Sequence, residues 1–233
     1  MPARASLPRK KLRVLISSGP TREPIDPVRY LSNYSTGYMG ALLAKEALRR
    51  GHQVTVVSGP AEVPLPSGAR VVAVEQAAEM AKALQRELPK ADALIMAAAV
   101  ADFRVERRSA VKTKRQGRLT LRLRANPDIL KGLRRRAGQV AIGFAVETQT
   151  PVAAAVRKMR RKRLDAIFVQ QAGQSGAPFG KTAVRAWLVT NKRPHAVTDC
   201  GRIGKPMAAR LLLDKLEALW YGQTGLESLS KRV

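Results

Sequence analysis

The chain has 233 residues, with 43 Lys and Arg against 17 Asp and Glu, a formal net charge of +26 and a pI of about 11.4. A hydrophobic share of 45% is ample for a core and excludes global disorder, and no apolar run approaches the roughly 20 residues that span a bilayer. Cys200 stands alone and His52 and His195 are far apart, which excludes an intrachain disulfide, a cysteine-built cluster and a plausible zinc site. The basic start MPARASLPRKKLRV lacks the apolar segment of a secretory signal, so a cytoplasmic protein is expected.

Strand and helix alternate along the chain. Arg13–Ser18 is an apolar strand that stops at Ser18-Gly19-Pro20. Thr21–Thr36 is too polar and too Pro-rich for a strand or helix, and loops this long inside compact domains are usually functional. Gly37–Arg50 then reads as an amphipathic helix with Met39, Leu42, Leu43 and Leu48 inward, ended by Gly51. Gln53–Ser58 and Ala69–Val74 are further strands, and Gln76–Leu88 is a helix with Ala77, Met80, Ala81 and Leu84 on one face. Ala91–Val100 is a buried central strand, because runs without alternation belong to parallel strands covered on both faces.

The pattern changes at residues 105–125. Leu119, Leu121 and Leu123 alternate with Thr120, Arg122 and Arg124, which predicts a half-exposed β-ribbon paired with Ala110–Lys114 through a turn at Gln116-Gly117. Asn126 is expected to cap a helix running to Arg136, with Pro127 at its first position. Gln139–Val146 is a core strand, Thr150–Arg163 a very basic helix, and Asp165–Val169 the next strand. Thr182–Thr190 alternates like an antiparallel edge strand, another follows near His195–Thr198, and Lys205–Tyr221 closes the chain as an amphipathic helix. The fold class expected is α/β: an open, mostly parallel, Rossmann-like twisted sheet with helices on both faces and a protruding ribbon arm. The divisions expected are a flexible basic N-terminus at 1–11, one domain at 12–221 and a loose tail at 222–233. Ligands should lie beyond the carboxyl ends of the strands.

The candidate chemistry sits in a few stretches. Gly37 and Gly40 head a helix whose free N–H groups suit an anion, although GxGxxG spacing is absent and no acidic ribose-binding residue follows the second strand. Asn33 lies among Ser32, Ser35 and Thr36 and could simply stabilise the loop. Asp102 follows the small residues Ala97, Ala98 and Ala99 and could serve only as a cap. Lys158 and Lys162 share one helix face, and between residues 104 and 163 there are 19 basic residues against Glu106, Asp128 and Glu147. Such an excess implies polyanionic partners: nucleotides, phosphorylated metabolites or, by counterion release, non-specific nucleic acid.

At TREPIDPVRYLSNYSTGYMG, AAAVADFR, VKTK, NPDIL, GFAVET and RKMRRKRLD the chain resembles the phosphopantothenoylcysteine synthetase (phosphopantothenate–cysteine ligase) family of the bacterial, CTP-dependent type. The resemblance spans roughly residues 12–220. It implies coenzyme A biosynthesis, in which CTP activates 4′-phosphopantothenate as an acyl-cytidylate that cysteine then attacks. It assigns catalysis to Asn33, Lys112 and Arg29. It assigns nucleotide binding to Met96, Ala97, Ala98, Asp102, Lys112, Pro127, Asp128, Ile129, Leu130, Phe144, Lys158 and Lys162, with Phe144 at the base and the two helix lysines on the phosphates. Asp102 is the expected contact to the nucleotide's Mg2+. A homodimer paired through the arm is expected, without membrane association and without flavin, since the decarboxylase half often fused before this domain is absent from the sequence. The sequence departs from the family at Tyr38, at Ser18–Thr21, at FGKTAV and at Gln170-Gln171, where an Asn-Asp pair is usual. The alternatives are an ATP-dependent version of the same ligase, or a basic nucleic-acid-binding protein on a degenerate ligase fold.

Overall fold

The computed structural model describes residues 10–115, 117–149, 151–172, 178–191 and 195–223. The readings made for residues 1–9, Gln116, Thr150 and 224–233 lie outside them. Eight strands form one sheet: β1 (Arg13–Ser18), β4 (Gln53–Ser58), β5 (Arg70–Ala73), β6 (Ala93–Met96), β9 (Val140–Glu147), β10 (Ala166–Gln171), β11 (Val184–Thr190) and β12 (Ala196–Ile203). Their order is β12-β11-β10-β9-β6-β1-β4-β5, parallel from β5 to β10 and antiparallel at β11 and β12. The Rossmann-like reading holds, including the two antiparallel strands at the edge.

Helices α1 (Tyr38–Arg49) and α5 (Lys205–Gln223) cover one face, where Leu43, Ala47, Leu212 and Leu216 pack on Val14, Ile16, Ile95 and Phe168. Helices α2 (Ala77–Glu87), α3 (Ile129–Gly132) and α4 (Pro151–Arg161) cover the other, packing Met80, Leu84, Ile129 and Met159 on Leu15, Leu94 and Ile167. Along each strand alternate side chains therefore enter alternate layers, which is why the strands read as unbroken apolar runs.

Four expectations are corrected. The loop after β1 holds a small hairpin, β2 (Arg22–Pro24) and β3 (Tyr30–Ser32). The central strand ends at Met96; Ala97–Ala99 leave the sheet to bond the loop after β1, with Ala99 N–H donating to Gly19 O at 2.9 Å. The ribbon is much shorter than expected: β7 (Phe103–Val105) pairs with β8 (Leu123–Ala125), and Ala110–Lys114 is not a strand. Val111 and Leu119 stand exposed among the described residues, and an isolated two-stranded ribbon is marginal in water. Finally, Asp128 rather than Asn126 caps α3, which stops after Gly132 instead of reaching Arg136. Asn126 is diverted: its amide donates to Ala101 O at 2.9 Å and accepts from Arg104 at 2.7 Å.

Candidate active site

A cleft of about 830 Å³ opens beyond the carboxyl ends of β6, β9 and β10. Its floor is the Ala97–Asp102 turn, and this turn is locked to the loop after β1. Ala98 N–H donates to Ser17 Oγ at 3.1 Å and Ala101 N–H to Thr21 Oγ1 at 2.9 Å. Asn33 Nδ2 donates to Ala99 O at 3.0 Å and Val100 O at 3.1 Å. Two loops distant in sequence thus become one surface. The Asn33 amide, a catalytic candidate by resemblance, is here committed to two backbone carbonyls.

Helix α1 enters the same cleft at Tyr38 and Met39. Its cap, Gly37, sits at φ 78° and no side chain caps the helix. One turn in, Gly40 lies so close to Ser18 that a Cβ there would come within 2.5 Å of the Ser18 Cβ. This close approach, rather than a dinucleotide signature, explains the glycine and brings the first turn to the strand end.

The opposite wall is basic. Lys158 Nζ is largely buried and donates to Phe144 O at 2.8 Å, and burial, followed by repulsion from Lys162, holds it below the usual lysine range. Lys162 pairs with Asp128 at 3.2 Å. Burial would raise the Asp128 carboxyl, but its hydrogen bond from Lys131 N–H and the Lys162 charge leave it lowered. Phe144 packs edge-on against Phe168, ring centres 5.5 Å apart.

The cleft brings together Asn33, Met96, Ala97, Ala98, Asp102, Pro127, Asp128, Ile129, Leu130, Phe144, Lys158 and Lys162. Arg29 and Lys112 do not line it. Arg29 grips the buried Asp26 through Nε at 3.0 Å and also donates to Thr113 O at 2.9 Å, while Thr113 N–H donates to Asp26 at 3.2 Å. Arg29 therefore ties the start of the arm to the β2–β3 hairpin and leaves the neighbouring Lys112 exposed. The Asp26 carboxyl is held well below the usual range by the Arg29 guanidinium.

Sequence reasoning missed Lys205 and treated Gln170 only as a departure, yet both line the cleft. A lysine at a helix N-terminus opposes the helix dipole, a signal that could have singled out Lys205. For a metal, no group of three or more His, Cys, Asp or Glu side chains converges among the described residues. A nucleotide's magnesium needs less, one or two carboxylates besides the phosphates, and the exposed Asp102 on the cleft floor fits that requirement.

The chain is similar to known proteins along most of its length. The chain is 40% identical over 176 residues to the coenzyme A biosynthesis bifunctional protein CoaBC of Escherichia coli K12, covering 73% of this chain and 43% of that protein. It is 41% identical over 181 residues to a cysteine/cysteine sulfinic acid decarboxylase from an unknown prokaryotic organism, covering 76% and 50%. The chain thus spans about half the length of these relatives or less. The crystal structure of a CoaBC C-terminal domain superposes with a TM-score of 0.74 at 30% identity, covering 92% of this chain and 98% of that one. The family model for the DNA/pantothenate metabolism flavoprotein C-terminal domain matches residues 9–219, and the chain belongs to that family.

Proposed function

We propose that this chain is a phosphopantothenate–cysteine ligase of coenzyme A biosynthesis that works through an acyl-cytidylate. The observation that carries the reading is the cleft itself. It holds a basic wall for phosphates, a carboxylate on the floor, an aromatic ring and an amide at the rim, from four separate segments of the chain. Membership of the family and likeness to the C-terminal part of CoaBC support it.

In the first step a 4′-phosphopantothenate carboxylate oxygen bonds the α-phosphorus of CTP, and pyrophosphate leaves. In the second the cysteine amine bonds the acyl carbon, CMP leaves, and the amine gives up a proton. Lys158 and Lys162 would grip the phosphates, with Phe144 beside the base. Asp102 would hold the nucleotide's Mg2+, which when bound neutralises phosphate charge. Asn33 would exchange one of its loop carbonyls for the acyl oxygen of the intermediate, stabilising charge as it develops there.

Lys112 would stabilise the charge that builds on the α-phosphate in the first step, and it would reach that position from elsewhere, because its own cleft does not contain it. We assign it to the cleft of a second copy in a homodimer. Val28, Tyr34, Phe103, Val111 and Leu119 are exposed apolar side chains on the hairpin and arm that such a partner would cover. No helix among the described residues is long and apolar enough to cross a membrane, and we place the enzyme in the cytoplasm. The basic excess would bind nucleic acid only non-specifically.

The test is pyrophosphate release with CTP and ATP in turn, with and without phosphopantothenate. Release with CTP that depends on phosphopantothenate is expected. Release with neither nucleotide, together with salt-sensitive duplex binding, would replace the ligase by the nucleic-acid reading.

A further inference from the structure

Two buried polar groups in the cleft are incompletely matched among the described residues. Gln170, 5% exposed at the end of β10, keeps its Oε1 buried without a hydrogen-bond partner among the described residues. Lys205, 3% exposed at the head of α5, donates to Pro178 O at 2.7 Å. Burial depresses its amine to about 8, and no carboxylate among the described residues offsets the cost. Buried polar groups are normally satisfied, and an acceptor without a partner and a cation without a counter-ion lining one cleft call for a ligand.

Their placement shows which part of a ligand. Gln170 lies two residues after Phe168, so both side chains leave β10 on the same side, the side that α5 covers. Phe168 is the residue whose ring meets Phe144, and Gln170 pairs in register with Val146 on β9. Gln170 therefore adjoins the ring placed beside the base, and Lys205 heads the helix that covers this same face, away from Lys158 and Lys162. Resting on the nucleotide reading above, we propose that Gln170 and Lys205 form a recess that selects an amino-bearing nucleobase, cytosine or adenine, over uracil or guanine.

The selection follows from hydrogen-bond polarity. Cytosine and adenine present an exocyclic amino donor next to an unprotonated ring nitrogen. Uracil and guanine present the reverse, a carbonyl oxygen next to a ring N–H. Gln170 Oε1 would accept from the amino group while Lys205 donates to the ring nitrogen. An amide alone cannot discriminate, since it can turn over and offer either its donor or its acceptor. A lysine ammonium is donor-only, so Lys205 fixes the polarity of the pair. A carbonyl-bearing base would leave a buried acceptor facing an acceptor and its own N–H facing a cation.

The test is equilibrium binding of CTP, UTP, ATP, GTP and inorganic tripolyphosphate, each with Mg2+, to the full chain. CTP should bind at least about tenfold more tightly than UTP, and ATP more tightly than GTP by a similar factor. Each pair is matched in size, so ring volume cannot produce the difference. Lys205→Gln should collapse both preferences, because two amides can turn to suit either edge. Gln170→Leu should lower CTP and ATP affinity about tenfold. Both variants should bind tripolyphosphate as the wild type does. Equal affinity for the four nucleotides in the wild type overturns the proposal without any variant. So does a preference that survives in both variants, or an equal loss for tripolyphosphate, which would make Lys205 a phosphate or packing group. Base preference without pyrophosphate release would instead sink the ligase and leave the recess standing.

Discussion

Replacing Lys205 by Met should change how stability depends on pH, in a direction that the burial of the amine dictates. The unfolded chain keeps the ordinary lysine value of 10.5, while the folded protein holds this amine at about 8. Between those values the unfolded state binds one more proton than the native state, so stability rises with pH across that window. Below the folded value the full penalty applies. At 1.36 kcal/mol per unit it is about 3 kcal/mol, of which about 2 kcal/mol should be regained between pH 7 and pH 9.5. Methionine retains the unbranched stem and loses only the ammonium and its bond to Pro178 O. Urea unfolding followed by the fluorescence of Trp187 and Trp220, at matched pH for both proteins, cancels the contribution of every other titrating group. The wild type should gain on the variant by about 2 kcal/mol over that range. A difference that stays flat or narrows the other way would mean the amine reaches water or an anion in the folded protein, and the argument for a stranded cation would fall with it. A cation kept where it weakens the fold is the pattern of a functional group retained against stability.

Gly40→Ala would gain about 1 kcal/mol of helix propensity but push a methyl to 2.1 Å from Ser18 Oγ and 2.5 Å from its Cβ, with overpacking costing roughly 1–3 kcal/mol; thermal melts should show a net loss, only partly relieved on a Ser18→Ala background, which removes the Oγ clash and keeps the Cβ one. Asp26→Ala removes the acceptor that holds both Arg29 and Thr113 N–H, so limited proteolysis should cut the 106–115 segment faster while cleavage within the sheet stays unchanged. Lys112→Gln should abolish pyrophosphate release with the melting temperature unmoved, whereas Asn33→Asp should release about one equivalent per site and stall as acyl-cytidylate, seen by mass spectrometry of the quenched mixture; each loss is expected at ~10²–10³ in rate, and the same intermediate in both variants would refute the separation of roles. Light scattering at micromolar concentration should give twice the chain mass, and Val111→Asp should shift it toward the monomer.

The parts that local pattern decides were readable before any coordinates. Strands such as Gln53–Ser58 and Gln139–Val146 announce themselves by unbroken β-branched runs, because both faces of a parallel sheet are covered. Most of the cleft was readable for a different reason: Ala97–Asp102, Phe144 and Lys158 belong to motifs carried by the resemblance, and parallel topology delivers the ends of successive strands to one edge. What escaped was whatever depends on a partner chosen by tertiary structure. Asn126 followed by Pro127 is a sound cap by local rules, yet Arg104 and Ala101 compete for its amide and leave the cap to Asp128. The alternation Leu119–Leu123 is a sound strand by local rules, yet of these leucines only Leu123 lies in a paired strand, and among the described residues Leu119 and Leu121 remain exposed. Lys205 and Gln170 are the extreme case. Thirty-five positions separate them, neither carries a motif, and their meaning arises only when α5 returns to the face of β10 that Gln170 shares with Phe168. A group that the fold leaves stranded cannot be recognised from its neighbours in sequence, since being stranded is a property of what surrounds it in space. By the same logic the mismatch between Lys112 and its own cleft is informative. An exposed lysine on an apolar arm is unexplained by the described residues of one chain, and the proposed homodimer would account for both, a second copy covering the arm while the arm carries Lys112 to that copy's cleft.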